Sequence, residues 1–161
     1  MIYKDLEGNI VGESVFTNGN TPDLIVAPEY LGPVLWAKAY YEDGTHFEDE
    51  IWHSIELEPI LSQELIEKID KLYEIFMTSF DDSYPPDSGF HTIEEIRYYL
   101  YYKLYVATLL SCEYKQGKVL LYGKGNEPIS IEEYIVYLSK ITDEDLKLWL
   151  RDDLQGDTSN T

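Results

Sequence analysis

The sequence predicts a single α+β domain, with antiparallel strands and hairpins in its N-terminal part and mainly helices in its C-terminal part. Up to about residue 58, apolar side chains tend to alternate with others and turn residues recur at short intervals, as in strands. From Ser62 onward, apolar side chains recur every three or four residues, which is the period of a helix. Because strands come first and helices follow, the pattern is typical of an α+β fold.

The N-terminal part contains five candidate strands, separated by turn signals such as Asn18-Gly19, Pro28 and Asp43-Gly44. The candidate strands cover residues 2–4, 10–15, 24–27, 34–41 and 46–57. The first two are expected to form a hairpin across residues 5–9, and the last two a second hairpin across Asp43-Gly44. One late short strand is predicted over residues 119–122. It pairs either with the N-terminal sheet or with residues 112–114.

Polar capping residues mark the starts of the helices. Ser62 is predicted to cap a helix over residues 62–80, which must end before Pro85-Pro86. Three further pairs have the spacing of a capping box and open helices at residues 93, 131 and 143: Thr92 with Glu95, Ser130 with Glu133, and Thr142 with Asp145. The globular domain is expected to span residues 1–154, and the polar tail 155–161 is predicted to be disordered.

The helix over residues 93–112 has apolar or aromatic side chains on two sides. One side carries Ile96, Leu100, Leu104 and Ala107, and the other carries Tyr98, Tyr101, Tyr105 and Leu109. A helix that is apolar nearly all round is expected in the middle of a domain. Five tyrosines on one helix cannot all face one direction, however, so some are expected near the surface as contact residues: Tyr98, Tyr99, Tyr101, Tyr102 and Tyr105.

Charge is the strongest indication of function. The 161 residues include 31 Asp and Glu against 12 Lys and Arg, a formal net charge of −19 at pH 7. A hydrophobic content of 44% and an aromatic content of 14% argue against a disordered chain. Self-repulsion of this size opposes folding, so a folded domain that keeps it is expected to use the field to attract a basic partner. The same charge disfavours binding to nucleic acid and to anionic membranes.

The acidic residues concentrate in the predicted second hairpin. No Lys or Arg occurs between Ala39 and Glu67. We predict that a partner-binding face is formed there by seven carboxylates: Glu42, Asp43, Glu48, Asp49, Glu50, Glu56 and Glu58. The alternative is that these carboxylates are exposed to solvent and only keep the protein soluble. If these seven carboxylates do not form the partner-binding face, the next candidates for it are Asp81, Asp82 and Asp87 in the loop between the two long helices.

Signals for chemistry are weak by comparison. A metal site is conceivable from four nearby residues, His46, Glu48, Glu50 and His53. On a strand, however, His53 would point to the opposite side from the other three, so no metal or other cofactor is expected. Cys112 and His91 can be drawn as a nucleophile and its base. We expect instead that Cys112, at the end of an apolar helix, is a buried structural thiol. The single cysteine also excludes an intramolecular disulfide.

These observations favour a non-enzymatic protein inhibitor in the cytoplasm that neutralises a basic partner. The N-terminus shows no signal peptide. Nucleases hold phosphates with Lys and Arg, which an acidic protein can cover in place of the substrate. The class that best fits is an immunity protein, or antitoxin, against a bacterial nuclease-type toxin. The alternatives are a nucleic-acid mimic that inhibits a DNA- or RNA-binding protein, a small enzyme without a recognisable site, and an adaptor whose charge serves solubility.

Overall fold

In the computed structural model, the chain forms a five-stranded mixed sheet, a separate two-stranded hairpin and a mainly helical C-terminal part. The structure describes residues 2–4, 10–13, 22–40, 46–51 and 61–155, with side chains for residues 22–38 and 61–155. The predicted α+β class, with strands first, helices after and a late short strand, is confirmed. The predicted turns at Asn18-Gly19 and Asp43-Gly44 and tail residues 156–161 lie outside the described residues.

All the predicted strands are present, several of them with fewer described residues than predicted. They are β1 (Ile2–Lys4), β2 (Ile10–Glu13), β3 (Asp23–Val26), β4 (Leu35–Tyr40), β5 (His46–Ile51) and β6 (Val119–Tyr122). Residues 14–15, 41 and 52–57 of the predicted strands lie outside the described residues. A further strand, β7 (Pro128–Ser130), was not expected, because its three residues carry too short a pattern to recognise.

The late strand β6 completes the N-terminal sheet. The strand order is β5-β4-β3-β6-β7, and β1 pairs with β2 in a sheet of their own. Strands β3, β4 and β5 are antiparallel neighbours, whereas β6 runs parallel to β3. The alternative hairpin with residues 112–114 is excluded, because residues 112 and 113 belong to a helix.

The helices begin close to their predicted starts. They are α1 (Gln63–Met77), α2 (Ile93–Glu113), α3 (Ile131–Lys140) and α4 (Asp143–Leu146), with 3₁₀ turns at Pro85–Asp87, Lys147–Trp149 and Asp152–Leu154. Ser62, Thr92, Ser130 and Thr142 each accept a hydrogen bond from the backbone N–H three residues later. Helix starts are local features, which explains why the sequence predicted them well.

Only one of the three predicted capping boxes is reciprocal among the described helices. The Asp145 carboxylate accepts a hydrogen bond from the Thr142 backbone N–H at 2.9 Å. The Glu95 carboxylate instead accepts one from the backbone N–H of His91, one residue before the cap. At the third position, the Glu133 carboxylate accepts a hydrogen bond from the Ser130 hydroxyl at 3.4 Å. In these two helices, therefore, the hydroxyl of the N-cap residue accepts its hydrogen bond, but the reciprocal bond from the backbone N–H of the N-cap to the Glu carboxylate is missing.

The core lies between one face of the sheet and the helices. The pairing places Leu24, Ala37 and Val119 in one row across three strands, and Val26, Leu35 and Leu121 in the next. All six are buried in the same hydrophobic cluster as the apolar stripe of α1. The helical period of the sequence predicts Leu65, Ile69, Leu72, Ile75 and Phe76 on that stripe. The first four are buried together with Ile66, and Phe76 is partly buried. One sheet face and one helix stripe thus bury each other, as in two-layer domains.

Helices α1 and α2 form an antiparallel pair. Their contacts follow one register, because Ser62 meets Glu113, Lys68 lies over the ring of Tyr105, and Phe76 stacks on Tyr99 at 5.4 Å. At the α1 N-terminus, the Ser62 hydroxyl donates to the Glu113 carboxylate at 2.6 Å. The pKa of Glu113 is lowered by this side-chain hydrogen bond, and also by one from the Ser62 backbone N–H.

Helix α2 departs from the prediction that it would be buried on two sides. Ile96, Leu100 and Ala107 are buried as expected, but the side that carries Tyr98, Tyr101 and Tyr105 faces solvent. The residues buried in addition are Tyr99, Lys103, Val106 and Leu110. In α3 the helical period predicts Ile131, Tyr134, Ile135 and Leu138 on the inner side, but Ile135 is exposed. Tyrosine and isoleucine are compatible with both environments, so the pattern alone does not distinguish them.

Candidate partner-binding surface

The structure describes three of the seven acidic residues that were predicted to form a binding face. Glu48, Asp49 and Glu50 lie in β5, at an edge of the described sheet. The strand register places Lys38 opposite Glu48 and Ala37 opposite Asp49. Glu42, Asp43, Glu56 and Glu58 lie outside the described residues. The convergence of the seven carboxylates therefore stays a prediction.

No metal site is present in the part of the chain that the structure describes. None of its His, Cys, Asp and Glu residues form a group of three or more that could hold an ion. Of the four residues considered as metal ligands in the sequence, His46 lies in β5 together with Glu48 and Glu50, and His53 is outside the described ranges.

Asp81, the first of the three acidic residues predicted as an alternative binding face, has a structural role. Its carboxylate accepts hydrogen bonds from the backbone N–H groups of Ser83 and Tyr84, at 2.9 Å and 3.1 Å, and pairs with Arg151 at 3.2 Å. The hydrogen bond from Tyr84 is the main cause of the lowered pKa of Asp81. This residue stabilises the loop before α2, so a partner could not bind its carboxylate without disturbing that loop. Asp82 is exposed, and Asp87 is half-buried.

Some of the other described carboxylates of the helical part pair with basic residues, and others do not. Arg97 pairs with Asp143 at 2.6 Å, and Lys147 pairs with Glu144 at 2.9 Å. Among the described residues, no ion pair reaches the exposed Glu64 and Glu67 of α1 or Glu94 in the first turn of α2. These side chains leave uncompensated negative charge on the surface of the helical pair.

A row of tyrosines, most of them exposed, runs along α2. We call Tyr98, Tyr101, Tyr102 and Tyr105 the tyrosine row. Tyr98 and Tyr101 are 56% and 52% exposed, and Tyr105 is 41% exposed. The rings of Tyr98 and Tyr102 lie 6.0 Å apart, and those of Tyr102 and Tyr105 are stacked at 5.8 Å. Large exposed aromatic side chains grouped in this way mark interaction surfaces more often than isolated ones do.

The tyrosine row borders on charged groups of α1. The Lys68 ammonium lies 5.8 Å from the centroid of the Tyr105 ring, within the range of a cation–π contact. The pKa of Tyr102 is raised by partial burial, then by the neighbouring Tyr98 and Tyr105, and also by the charge of Glu74. The row thus already holds one cation of its own chain and lies within the field of an exposed carboxylate.

Lys103 is a feature that the sequence did not reveal. It is 5% exposed, and its ammonium nitrogen lies 5.4 Å, 5.2 Å and 5.8 Å from the ring centroids of Tyr99, Tyr134 and Trp149. Burial lowers its pKa to about 8. In the sequence, Lys103 looks like an ordinary polar interruption of an apolar helix. The only signal is that it lies four residues after the buried Tyr99, on the same helix face.

The Cys112 and His91 pair is excluded as a catalytic unit. Cys112 is exposed, which corrects the prediction of a buried thiol. It lies in the last turn of α2, whereas His91 precedes the N-cap of the same helix. A helix of this length separates them by roughly 30 Å, far beyond hydrogen-bond reach.

Two open clefts among the described residues offer no recognisable reaction site. One lies between the end of α2 and the start of α3, and its polar lining includes Ser111, Lys118 and Glu132. The other is lined by Glu29, Trp36 and Tyr122, with Ala27 and Pro28. Each lining set has a single carboxylate and no His or Cys, so it contains no carboxylate pair. In the first cleft, the Ser111 hydroxyl donates to the Thr108 carbonyl and the Ser130 hydroxyl to the Glu133 carboxylate, so neither serine donates to Lys118 as its base.

Comparison of the chain with protein-family models, curated proteins and solved structures finds no match. None of the described helices is long and apolar enough to cross a membrane. The charge of the chain and the surface of the α1–α2 pair are therefore the features that bear on its function.

Proposed function

We propose that this chain is an acidic inhibitor that binds and neutralises a basic protein in the cytoplasm, as an immunity protein against a bacterial nuclease-type toxin does. The observation that carries the proposal is the formal net charge of −19 on a folded α+β chain. The exposed, unpaired carboxylates of α1 and α2 support it, because they are free to meet cations of another protein.

A nuclease is the basic partner that the chemistry favours. Its active site must present Lys and Arg to the phosphates of the substrate, and a negatively charged protein can cover those groups. Long-range attraction also speeds the encounter, which benefits an inhibitor that must act before a toxin reaches nucleic acid. No catalytic step is assigned to this chain.

Co-expression tests the proposal. The proteins encoded immediately beside this chain's gene are produced in host cells with and without the chain, and one that arrests growth by degrading nucleic acid is taken as the toxin domain. We expect growth arrest and nucleic-acid degradation with the toxin domain alone, and recovery of both growth and intact nucleic acid with the chain. A control with an unrelated acidic protein of similar size separates specific inhibition from the effect of charge. Absence of rescue, with no complex between the purified proteins, would contradict the proposal.

A salt series tests the electrostatic part. If the charge steers the partner, the association rate measured by stopped flow falls steeply as ionic strength rises, because screening reduces the range of the field to about 8 Å at physiological salt. An association rate independent of salt would indicate that the charge serves solubility.

A further inference from the structure

We infer that the tyrosine row of α2 is the docking surface for arginine side chains of the basic partner. This inference deepens the proposed function, on which it rests, because it names the surface and the partner groups. It also differs from the acidic hairpin predicted from the sequence. The partner is a protein that presents two or more arginines along the length of the row.

The exposure of the row requires an explanation. Tyr98, Tyr101 and Tyr105 are each more than 40% exposed on a helix whose opposite side is in the core. Within the described part of the chain, no hydrogen bond involves their hydroxyl groups. Exposed tyrosine rings combine a flat apolar surface with a free polar edge, which is the composition of protein-binding hot spots.

Charge decides between the possible occupants. A second copy of this chain would bring another formal charge of −19 to the surface, and the two copies would repel each other. Glu94 lies one helical turn before Tyr98 on α2, so an apolar partner on the row would leave this carboxylate without compensation. A cationic partner satisfies both the π-faces of the rings and the neighbouring carboxylates. The contact of Lys68 with Tyr105 shows that a ring of this row accommodates a cation.

Arginine suits the row better than lysine. The guanidinium group is planar, is weakly hydrated and stacks on aromatic faces, whereas an ammonium group keeps its water more strongly. Lys68 already lies over the ring of Tyr105, so Tyr98 and Tyr101, the most exposed rings of the row, are those on which a partner strand or helix can place its guanidinium groups.

Deca-arginine and deca-lysine peptides of equal charge are the probes, with the dissociation constant measured by calorimetry in 0.15 M salt. We expect the wild-type chain to bind deca-arginine about tenfold more tightly than deca-lysine. The Tyr98→Ala/Tyr101→Ala/Tyr105→Ala variant should lose this preference while its affinity for deca-lysine stays within twofold. The corresponding Tyr→Phe variant keeps the rings and should keep the preference.

Tyr84→Ala is the matched control, because Tyr84 is 58% exposed but lies outside α2 and the row. It should bind both peptides like the wild type. If thermal melting shows that the triple alanine variant does not fold, the Tyr98→Ala and Tyr101→Ala single variants provide the comparison. These two residues are the most exposed of the row.

Three results would overturn the inference: no binding of either peptide by the wild-type chain, equal affinity for both, or a preference that survives in the alanine variants. A wild-type dimer that the alanine variants lose, measured by sedimentation, would also overturn it and assign the row to self-association. Rescue from the toxin by alanine variants that fold would refute only this inference. An arginine preference that depends on the row, without any rescue, would refute only the immunity function.

Discussion

The ammonium nitrogen of Lys103 lies 5.2 Å from the centroid of the Tyr134 ring, and both side chains are buried in the core beside α3. Within the described residues, Lys103 has no carboxylate partner, and the Tyr134 hydroxyl has no hydrogen-bond partner. Three aromatic rings therefore provide the compensation that a buried charge usually obtains from an ion pair.

Replacing Lys103 with methionine should stabilise the protein at pH 7. Burial lowers the pKa of this lysine from 10.5 to about 8, which corresponds to a cost of about 3 kcal/mol for the charged form. Loss of the cation–π contacts offsets part of the gain, at about 1–2 kcal/mol. We expect a net increase in the free energy of unfolding of about 1–2 kcal/mol, measured by urea denaturation. A large loss of stability would show that the three aromatic rings around Lys103 more than compensate for the cost of burying its charge.

The same lysine should make stability depend on pH in the alkaline range. Its folded pKa of about 8 lies below the ordinary value of 10.5, so between these values the unfolded state binds more protons. The cost of burial is fully present below pH 8 and is relieved as pH rises. The free energy of unfolding should therefore increase by about 2 kcal/mol from pH 7.5 to 9.5.

Two controls isolate this effect. Lys103→Met should abolish the increase, and substitution of the exposed Lys118 by methionine should leave it intact. Burial raises the pKa values of the neighbouring Tyr99 and Tyr134, so ionisation of tyrosine in the unfolded state opposes the trend above about pH 10. Measurements below pH 9.5 avoid that region.

Removing the hydroxyl of Tyr134 should not weaken the fold. A buried polar group without a hydrogen bond costs about 1–3 kcal/mol, and Tyr134→Phe removes it while keeping the ring over Lys103. We expect an increase of about 1 kcal/mol in the free energy of unfolding. A decrease of that size would mean that the hydroxyl has a hydrogen-bond partner in solution, such as a water molecule.

Gly89 should not tolerate a side chain. A Cβ atom there would lie 2.4 Å from the backbone nitrogen of Arg151, where Phe90 forms a parallel bridge with Leu150. Because backbone cannot move aside as a flexible side chain can, Gly89→Ala should destabilise the fold by about 1–3 kcal/mol. Gly125→Ala is the control, since nothing lies within 4 Å of its Cβ position. Equal melting temperatures for the two variants would contradict the close packing at Gly89.

The acidic edge strand can be tested in the complex with the toxin domain. Replacing Glu48, Asp49 and Glu50 of the edge strand together with serine should weaken binding strongly, and we expect thermal melting to change little. A carboxylate that meets a desolvated Lys or Arg contributes on the order of 2–5 kcal/mol to such a complex. Unchanged affinity together with unchanged melting would remove β5 from the interface.

Local features of the fold could be predicted from the sequence, because the residues that decide them lie next to each other. Ser62 and Thr142 cap their helices as predicted, since a hydroxyl reaches the N–H three residues later whatever surrounds it. The apolar stripe of α1 and the limits of β6 follow for the same reason, since each depends on a run of residues with one periodicity.

The candidate site could be predicted only in part. The excess of acidic residues is a property of composition and needs no fold. The clustering of the tyrosines on one helix also follows from their spacing. Which of them are exposed depends on what packs against α2, however, and this separates the buried Tyr99 from the exposed Tyr98 and Tyr101.

What the sequence by itself determined is thus the α+β class, the helix starts and the charge, each of which depends on local periodicity or on a sum over residues. Only the tertiary structure decided that β6 joins the sheet parallel to β3, that Lys103 is enclosed by three rings, and that Cys112 is exposed. The physical reason is that these features depend on contacts between residues far apart in the chain. Lys103, for example, meets Tyr134 and Trp149 only because α3 and the turn after α4 pack against α2.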